Sequence, residues 1–279
     1  MRKCLALLAV TILFVGWCWG QSQPLAPAMS LQEARRLMKE AWENEDRDPD
    51  LAIRLLFRVL RHYPEGFEVR LPEYLDDIWR TQGEQAYWKA VIDGQTKGTL
   101  HPSQMARLTI GGLLARIFFY AKKDARQGIF WAKHVLRRNP KARGIRLAII
   151  FRGQALLKEQ GLPKQPELFV NGQLIKAQVA FQKQAAFVAL QDIQRRLSLS
   201  FRHDVPKGQV FIKWGKADAI IELGNRWGLV KGEPKELLGA PYLKGDLVMV
   251  PIDLLAELSQ GRAYWDEEMK LVHLFFAGD

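Results

Sequence analysis

Cysteine is almost missing: the 279 residues hold two, Cys4 and Cys18, both within the first twenty positions. If that stretch is removed as a leader, no thiol remains, which excludes disulfides, thiolate catalysis and zinc-thiolate sites. Histidine is sparse as well. His62, His101, His134, His203 and His273 are scattered, with no pair at i,i+4 and none at ligand spacing from an acid, so no metal site is read. There is no Gly-x-Ser-x-Gly elbow, no phosphate-binding glycine loop and no His-Glu-x-x-His. Two of the runs of adjacent carboxylates could in principle supply an acid/base pair. Asp76-Asp77 falls on a predicted helix, where adjacent side chains point apart, and Asp266-Glu267-Glu268 reads as a solvated hairpin turn after Trp265. With no convergent reactive set, the chain is expected not to be an enzyme, to have no catalytic residues and to need no cofactor or metal.

Long apolar runs are missing except at the start. Arg2 and Lys3 precede an almost unbroken apolar stretch from Leu5 to Trp19, which Gln21 to Pro24 cut off. A spanning helix needs about 20 apolar residues, so residues 1–20 read as a cleaved signal peptide, with Gly20 or the Ala26-Pro27-Ala28 triplet as small-residue cleavage points. Trp17 immediately before Cys18 argues against lipid attachment, which needs a small residue there. The expectation is an exported protein, periplasmic or on the cell surface, without a transmembrane helix after cleavage.

Acid is missing from one segment. Residues 101–166 carry 14 Lys+Arg against 2 Asp+Glu, whereas 29–100 carry 11 against 14 and 167–279 carry 14 against 14. The net charge of +11 therefore describes a patch and not the whole surface. Arg126, Lys133, Arg137, Arg138, Lys141, Arg143 and Arg146 are its candidate binding residues, facing a lipid headgroup, an anionic wall polymer or an acidic envelope protein. A solvated face, partly neutralised by the acidic first helix, is the competing reading. Nucleic acid is disfavoured, since no base-reading motif is present.

Residues 29–161 read as helices joined by short turns. Ser30 with Glu33 forms a capping box, and Leu31, Ala34, Leu37, Met38, Ala41 and Trp42 make one apolar stripe. Asp48-Pro49 starts a second helix that stops before Pro64. Further helices are predicted over 72–83, 84–94, 102–122, 124–138 and 141–160. Ala52 to Pro64 is echoed by Gly128 to Pro140, each with Val-Leu-Arg just before its end. The layout resembles the second helix of a tetratricopeptide repeat, although the offset of 76 residues is not a multiple of the usual repeat of about 34, and the first-helix pattern is missing.

After the break at 162–166 the pattern changes to strands. Leu168 to Val170 and Gln173 to Ile175 flank Asn171-Gly172, a pair that accepts the positive φ angles of a type I′ turn. Val210–Trp214 and Ala219–Leu223 flank a turn at Gly215-Lys216; Leu247–Val250, a helix from Pro251 to Leu258, Tyr264-Trp265 and Lys270–Phe275 follow. The fold class is α+β: an all-helical, repeat-like region over 29–161 followed by an α+β domain over 167–277.

The second region resembles the stalk domain family, also called the copper amine oxidase N-terminal-like domain. Lys244-Gly245, Val250-Pro251-Ile252, Leu254-Leu255-Ala256-Glu257, Trp265-Asp266 and Leu271–Leu274 follow the order of its repeating unit. A weaker copy lies about 62 residues upstream, opening on Phe169 to Gly172 and passing through Phe187–Leu190. Asn171, Gly172, Val250, Pro251, Trp265 and Asp266 are then structural residues of the motif, while Gln191 and Asp253 stand where the family usually has arginine. The resemblance implies a spacer or binding module of exported bacterial proteins and no oxidase activity. That chemistry needs an Asn-Tyr pair, which this sequence does not contain. The function expected is an exported, non-catalytic envelope protein whose helices bind a protein or anionic polymer while the stalk-type domain spaces or anchors them. The alternative is an accessory subunit, or an active site completed only by another chain.

Overall fold

A computed structural model describes residues 29–64, 66–102, 105–162 and 165–277. The expected leader lies outside the described residues, as do Pro163 and Lys164 of the break between the two regions. Helices α1 (Leu31–Glu43) and α2 (Pro49–His62) start as their caps dictate: Ser30 Oγ accepts from the Glu33 amide at 3.1 Å and Asp48 Oδ1 from that of Leu51 at 2.9 Å. Their stripes face one another, burying Leu37, Met38 and Ala41 with Leu56, Val59 and Leu60.

The next element was not expected. Strand β1 (Glu68–Leu71) pairs antiparallel with β2 (Ala106–Thr109), setting Glu68 opposite Thr109 and Arg70 opposite Arg107. The helix expected over 102–122 therefore begins only at Ile110. Thr109 Oγ1 accepts from the Gly112 amide at 3.2 Å and fixes that start, and the preceding residues find backbone partners in β1. Between the two strands runs α3 (Glu73–Thr96), broken at Gly83 (φ 86°, ψ −178°), where the sequence divides two helices. Helix α4 (Ile110–Arg116) continues into a π-helical turn over Ile117–Ala121, and α5 (Ala125–Arg138) and α6 (Gly144–Gln160) follow. Residues 141–143, expected in the last helix, form a turn in which the Ala142 amide reaches Asn139 O at 3.0 Å. The two echoing segments are α2 and α5, each packed on the helix before it.

The C-terminal region is built as two related halves. Strands β3 (Glu167–Val170) and β4 (Gln173–Ile175) form the expected hairpin, with φ of 50° at Asn171 and 85° at Gly172. Then come β5 (Val179–Gln182), β6 (Ala185–Ala189), α7 (Leu190–Ile193), β7 (Leu199–Asp204) and β8 (Gln209–Trp214). An extra strand β9 (Ala217–Glu222) precedes the second half, which comprises β10 (Trp227–Val230), β11 (Glu233–Glu236), β12 (Tyr242–Lys244), β13 (Leu247–Pro251), α8 (Ile252–Leu258), β14 (Arg262–Asp266) and β15 (Leu271–Phe275). The opening hairpin of the second half, β10–β11, turns on Lys231 (φ 55°) and Gly232 (φ 81°) and was not legible in the sequence. The halves meet in a central sheet ordered β12-β13-β6-β5, where Val188 stands directly opposite Val250. Those valines are equivalent positions of the two copies, so the pairing is close to two-fold.

Two further sheets complete the domain, β14-β15-β3-β4 and β11-β10-β9-β8-β7. The first is the wall between the two regions. On its inner face Leu168, Val170, Val272 and Leu274 join the core of the β domain. On its outer face Tyr264, Leu271 and Phe275 join the core of the helices. All five residues of β15 are consequently buried, as expected of a strand covered on both sides.

Candidate functional site

Helix α5 carries most of the expected cationic patch, and its two flanks do different work. One flank rests on the wall. Arg126 donates to the carbonyl of Met269 at 3.1 and 3.2 Å and pairs with Glu167 at 3.1 Å. Lys133 pairs with Glu268 and with Asp266, the latter at 3.5 Å, and Arg137 pairs with Asp266 at 3.1 Å. Asp266 is only 4% exposed and also accepts from the Met269 amide at 3.0 Å. The carboxylate expected to be solvated is instead the acceptor on which α5 docks; the turn itself is as expected. Between the ion pairs, His273 is fully buried, with Nε2 3.1 Å from Gln127 Oε1 and its ring stacked on Phe169 at 4.8 Å. Burial, with a smaller contribution from His134, pushes its pKa down to about 3.

The other flank of α5 opens on a cleft of about 450 Å³, within the range of small-molecule sites. Phe67, Glu68, Arg107 and Thr109, on or beside β1 and β2, line one side; Trp131, His134, Val135 and Arg138 of α5 line the other. Lys141, Ala142 and Arg146 close it from the α5–α6 turn and α6, with Leu60 and Ile110 adding apolar surface. A buried network anchors the β1 side: Asp76 accepts from the Arg70 amide at 3.0 Å and from Arg80 Nε at 2.7 Å, and forms an ion pair with Arg35 at 2.8 Å.

Charge in the cleft is unevenly matched. Arg107 is met by Glu68 at 2.6 Å, and the Arg138 guanidinium lies 5.9 Å from the centre of the Tyr264 ring. Arg146 Nε is buried without a hydrogen-bond partner among the described residues, and so is Nε1 of Trp131, a residue only 1% exposed. Burial, followed by the charges of Arg107 and Arg116, holds the Arg146 pKa below its ordinary value. Arg146 reaches in over Gly112, where an added Cβ would lie 2.9 Å from its Nη2. His134 lies 4.5 Å ring to ring from Tyr264, and burial, followed by Arg138 and Arg137, pushes its pKa down to about 4. It is therefore neutral at pH 7.

The stalk-motif residues fall on the halves and on the wall. Val250 pairs across the near two-fold, Pro251 ends β13 ahead of α8, and Trp265 Nε1 donates to Gln184 O at 3.2 Å. Asn171 Oδ1 accepts from the Phe276 amide at 3.1 Å, and its carbonyl accepts from Arg61 of α2 at 3.3 Å. At Gly172 a Cβ would sit 2.2 Å from the Phe57 ring, so the hairpin turn is pressed onto α2. Gln191 and Asp253, in place of the family's arginine, occupy equivalent points of the halves and hold backbone: Gln191 the turn before β13, Asp253 the Leu238 amide at 3.1 Å.

Residues 169–274 match the family model of the copper amine oxidase N-terminal domain. The match covers both halves, from β3 to β15, and leaves helices α1 to α6 outside. No curated protein and no solved structure matches the chain. In the oxidases, the copper amine oxidase N-terminal domain is the non-catalytic part. Its Asn171-Gly172 turn and Asp266 here contact the helices.

Of the seven expected patch residues, the structure turns Arg126, Lys133 and Arg137 to the wall and brings Arg138, Lys141 and Arg146 to the cleft. Arg143 is exposed, its Nε donating to Pro140 O at 3.3 Å. Sequence reasoning missed Arg107, Glu68, Trp131 and His134, because β1 and β2 were not foreseen and Trp131 reads as core. Among the described residues no three of His, Cys, Asp and Glu converge as a metal site, and no helix is long and apolar enough to cross a membrane.

Proposed function

We propose that this is an exported, non-catalytic binding protein of the cell envelope. Helices over 29–161 supply the ligand surface, and the copper amine oxidase N-terminal-like domain over 167–277 spaces or anchors them across the 162–166 connection. The observation that carries the binding reading is the cleft beside α5, where two buried N–H donors, on Arg146 and Trp131, lack partners among the described residues. A buried donor left unpaired costs about 1–3 kcal/mol, and a ligand rich in acceptors removes that cost. Export is supported by the charged start and the apolar run from Leu5 to Trp19, and the spacer role by the family match. The bound group is anionic, carried by an envelope protein or by a wall or lipid polymer. The site lies on the periplasmic or outer side of the membrane.

Fractionation should find the mature chain outside the cytoplasm, and pull-down from envelope extract should recover one defined partner or wall fraction. Reversing two exposed cations, Lys141→Glu on the cleft rim and Arg143→Glu two residues along the same turn, should weaken capture at least tenfold, since neither forms an ion pair among the described residues. A cytoplasmic chain, or capture unchanged by reversal, would overturn this reading.

A further inference from the structure

The cleft can be assigned a ligand chemistry from what its walls still offer; this step rests on the binding reading above. The two unpartnered groups are both donors, and neither an indole nor a guanidinium accepts a hydrogen bond. The missing partner is therefore an acceptor. Its charge follows from the cations that the protein leaves unmatched. Arg107 is answered by Glu68, Arg116 by Glu45 and Lys133 by the wall; neither Arg146 nor Lys141 forms an ion pair among the described residues. Two unmatched cations suit a dianion, whereas a carboxylate would leave one of them exposed to the other's repulsion.

Geometry agrees. The donors come from three places, Trp131 on α5, Lys141 in the following turn and Arg146 on α6. Donors converging from separate elements surround a tetrahedral group better than a planar one, and an arginine with a free Nε edge can bind it through two parallel hydrogen bonds. Beside the polar Glu68, Arg107, Thr109 and Asn139, the cleft has an apolar part lined by Leu60, Phe67, Ile110 and Val135. We propose that the cleft binds a phosphate monoester, its phosphoryl oxygens accepting from Arg146 Nε and Trp131 Nε1 beside the Lys141 ammonium, with an apolar body against Leu60, Phe67 and Val135.

Such a group comes from a soluble phosphorylated metabolite or from the headgroup of phosphatidic acid, and the test has an arm for each. The full chain is titrated with phenyl phosphate, phenylacetate and inorganic phosphate while the indole N–H resonances are followed by NMR. The Trp131 resonance is identified by its loss in Trp131→Phe, which keeps an aromatic ring in the core. Phenyl phosphate should bind more tightly than phenylacetate and shift that resonance. Arg146→Gln should weaken binding about tenfold or more, the size expected for a charged hydrogen bond, and Trp131→Phe severalfold, both variants keeping the wild-type far-ultraviolet spectrum.

Sedimentation with vesicles containing phosphatidic acid, lost in Arg146→Gln, would assign the lipid source. Binding of phenyl phosphate without sedimentation would assign the soluble one. Equal affinity for phenylacetate would overturn the phosphate assignment. Phenyl phosphate binding that neither moves the Trp131 resonance nor responds to Arg146→Gln would overturn the site. If the envelope partner is still captured in those cases, the wider binding reading survives; if the rim reversal also has no effect, both fall.

Discussion

Asp266 shows how one side chain joins the two regions. It is nearly buried, holds the Met269 amide on Oδ1, and presents Oδ2 to Arg137 at 3.1 Å and Lys133 at 3.5 Å. Removing one member of a buried ion pair costs about 3–5 kcal/mol, but Arg137 is 62% exposed and water takes up part of that loss. Asp266→Ala should therefore destabilise by about 2–4 kcal/mol, and Asp266→Asn, which keeps an acceptor for the amide, by less. Glu268, also paired with Lys133 but 58% exposed, should lose under about 1 kcal/mol as Gln. Urea unfolding midpoints would rank the three, and equal effects for Asp266→Ala and Glu268→Gln would refute the docking role. Gly172 makes the same junction through space: its φ of 85° strains any other residue, and Phe57 occupies the position of a Cβ. Gly172→Ala should cost about 2–4 kcal/mol, from backbone strain together with overpacking. Combining it with Phe57→Ala should be clearly non-additive.

At the scale of elements, legibility followed how local the cause was. The caps of α1 and α2, the break at Gly83 and the Asn171-Gly172 hairpin were readable because each rests on a few adjacent residues. Strand β1 was not: Glu68-Val-Arg-Leu71 is four residues long, half of them charged, and becomes a strand only when the distant β2 pairs with it, setting Glu68 opposite Thr109 and Leu71 opposite Ala106. The cleft was hidden for the same reason, since β1 and β2 form one of its sides. The cationic run on α5 was visible, but nothing local told that one flank would meet Glu167, Asp266 and Glu268. His273 was readable as a strand residue but not as the contact between that strand and α5. Its placement has a pH consequence. Around it stand Gln127, Phe130, Trp131 and Phe169, with His134, Arg137 and Arg138 farther along α5. Both histidines have folded pKa values below the ordinary 6.5, about 3 for His273 and about 4 for His134. The unfolded chain therefore binds protons that the folded one refuses once pH drops below 6.5. Stability is fully present above that pH and falls as pH decreases, by up to about 1.4 kcal/mol per unit for each histidine. Urea midpoints should drop between about pH 7 and pH 5, with a shallower fall in His273→Gln; an unchanged slope in that variant would show that His273 is already protonated in the fold.

For the whole molecule, the decisive feature is that a single sheet has two cores. Leu271, Phe275 and Tyr264 belong to the helices' core, while Val272 and Leu274, their neighbours in sequence, belong to that of the β domain. The matched domain, 169–274, thus contributes apolar side chains to a core lying outside it. Cutting the chain at 162–166 would expose Phe169, Met269, Leu271 and Phe275 on one contiguous face, together with the unpaired Asp266. Exposed apolar patches of that kind drive association. The isolated segment 165–279 should accordingly self-associate or unfold more easily than the intact protein, and addition of segment 29–161 should reverse this. In the intact chain, tryptophan fluorescence and far-ultraviolet ellipticity should unfold in one coincident transition, because neither core survives loss of the shared wall. Two separated transitions, with the β domain melting as it does alone, would show instead that the outer face of the sheet contributes little and that the helices are only tethered to it.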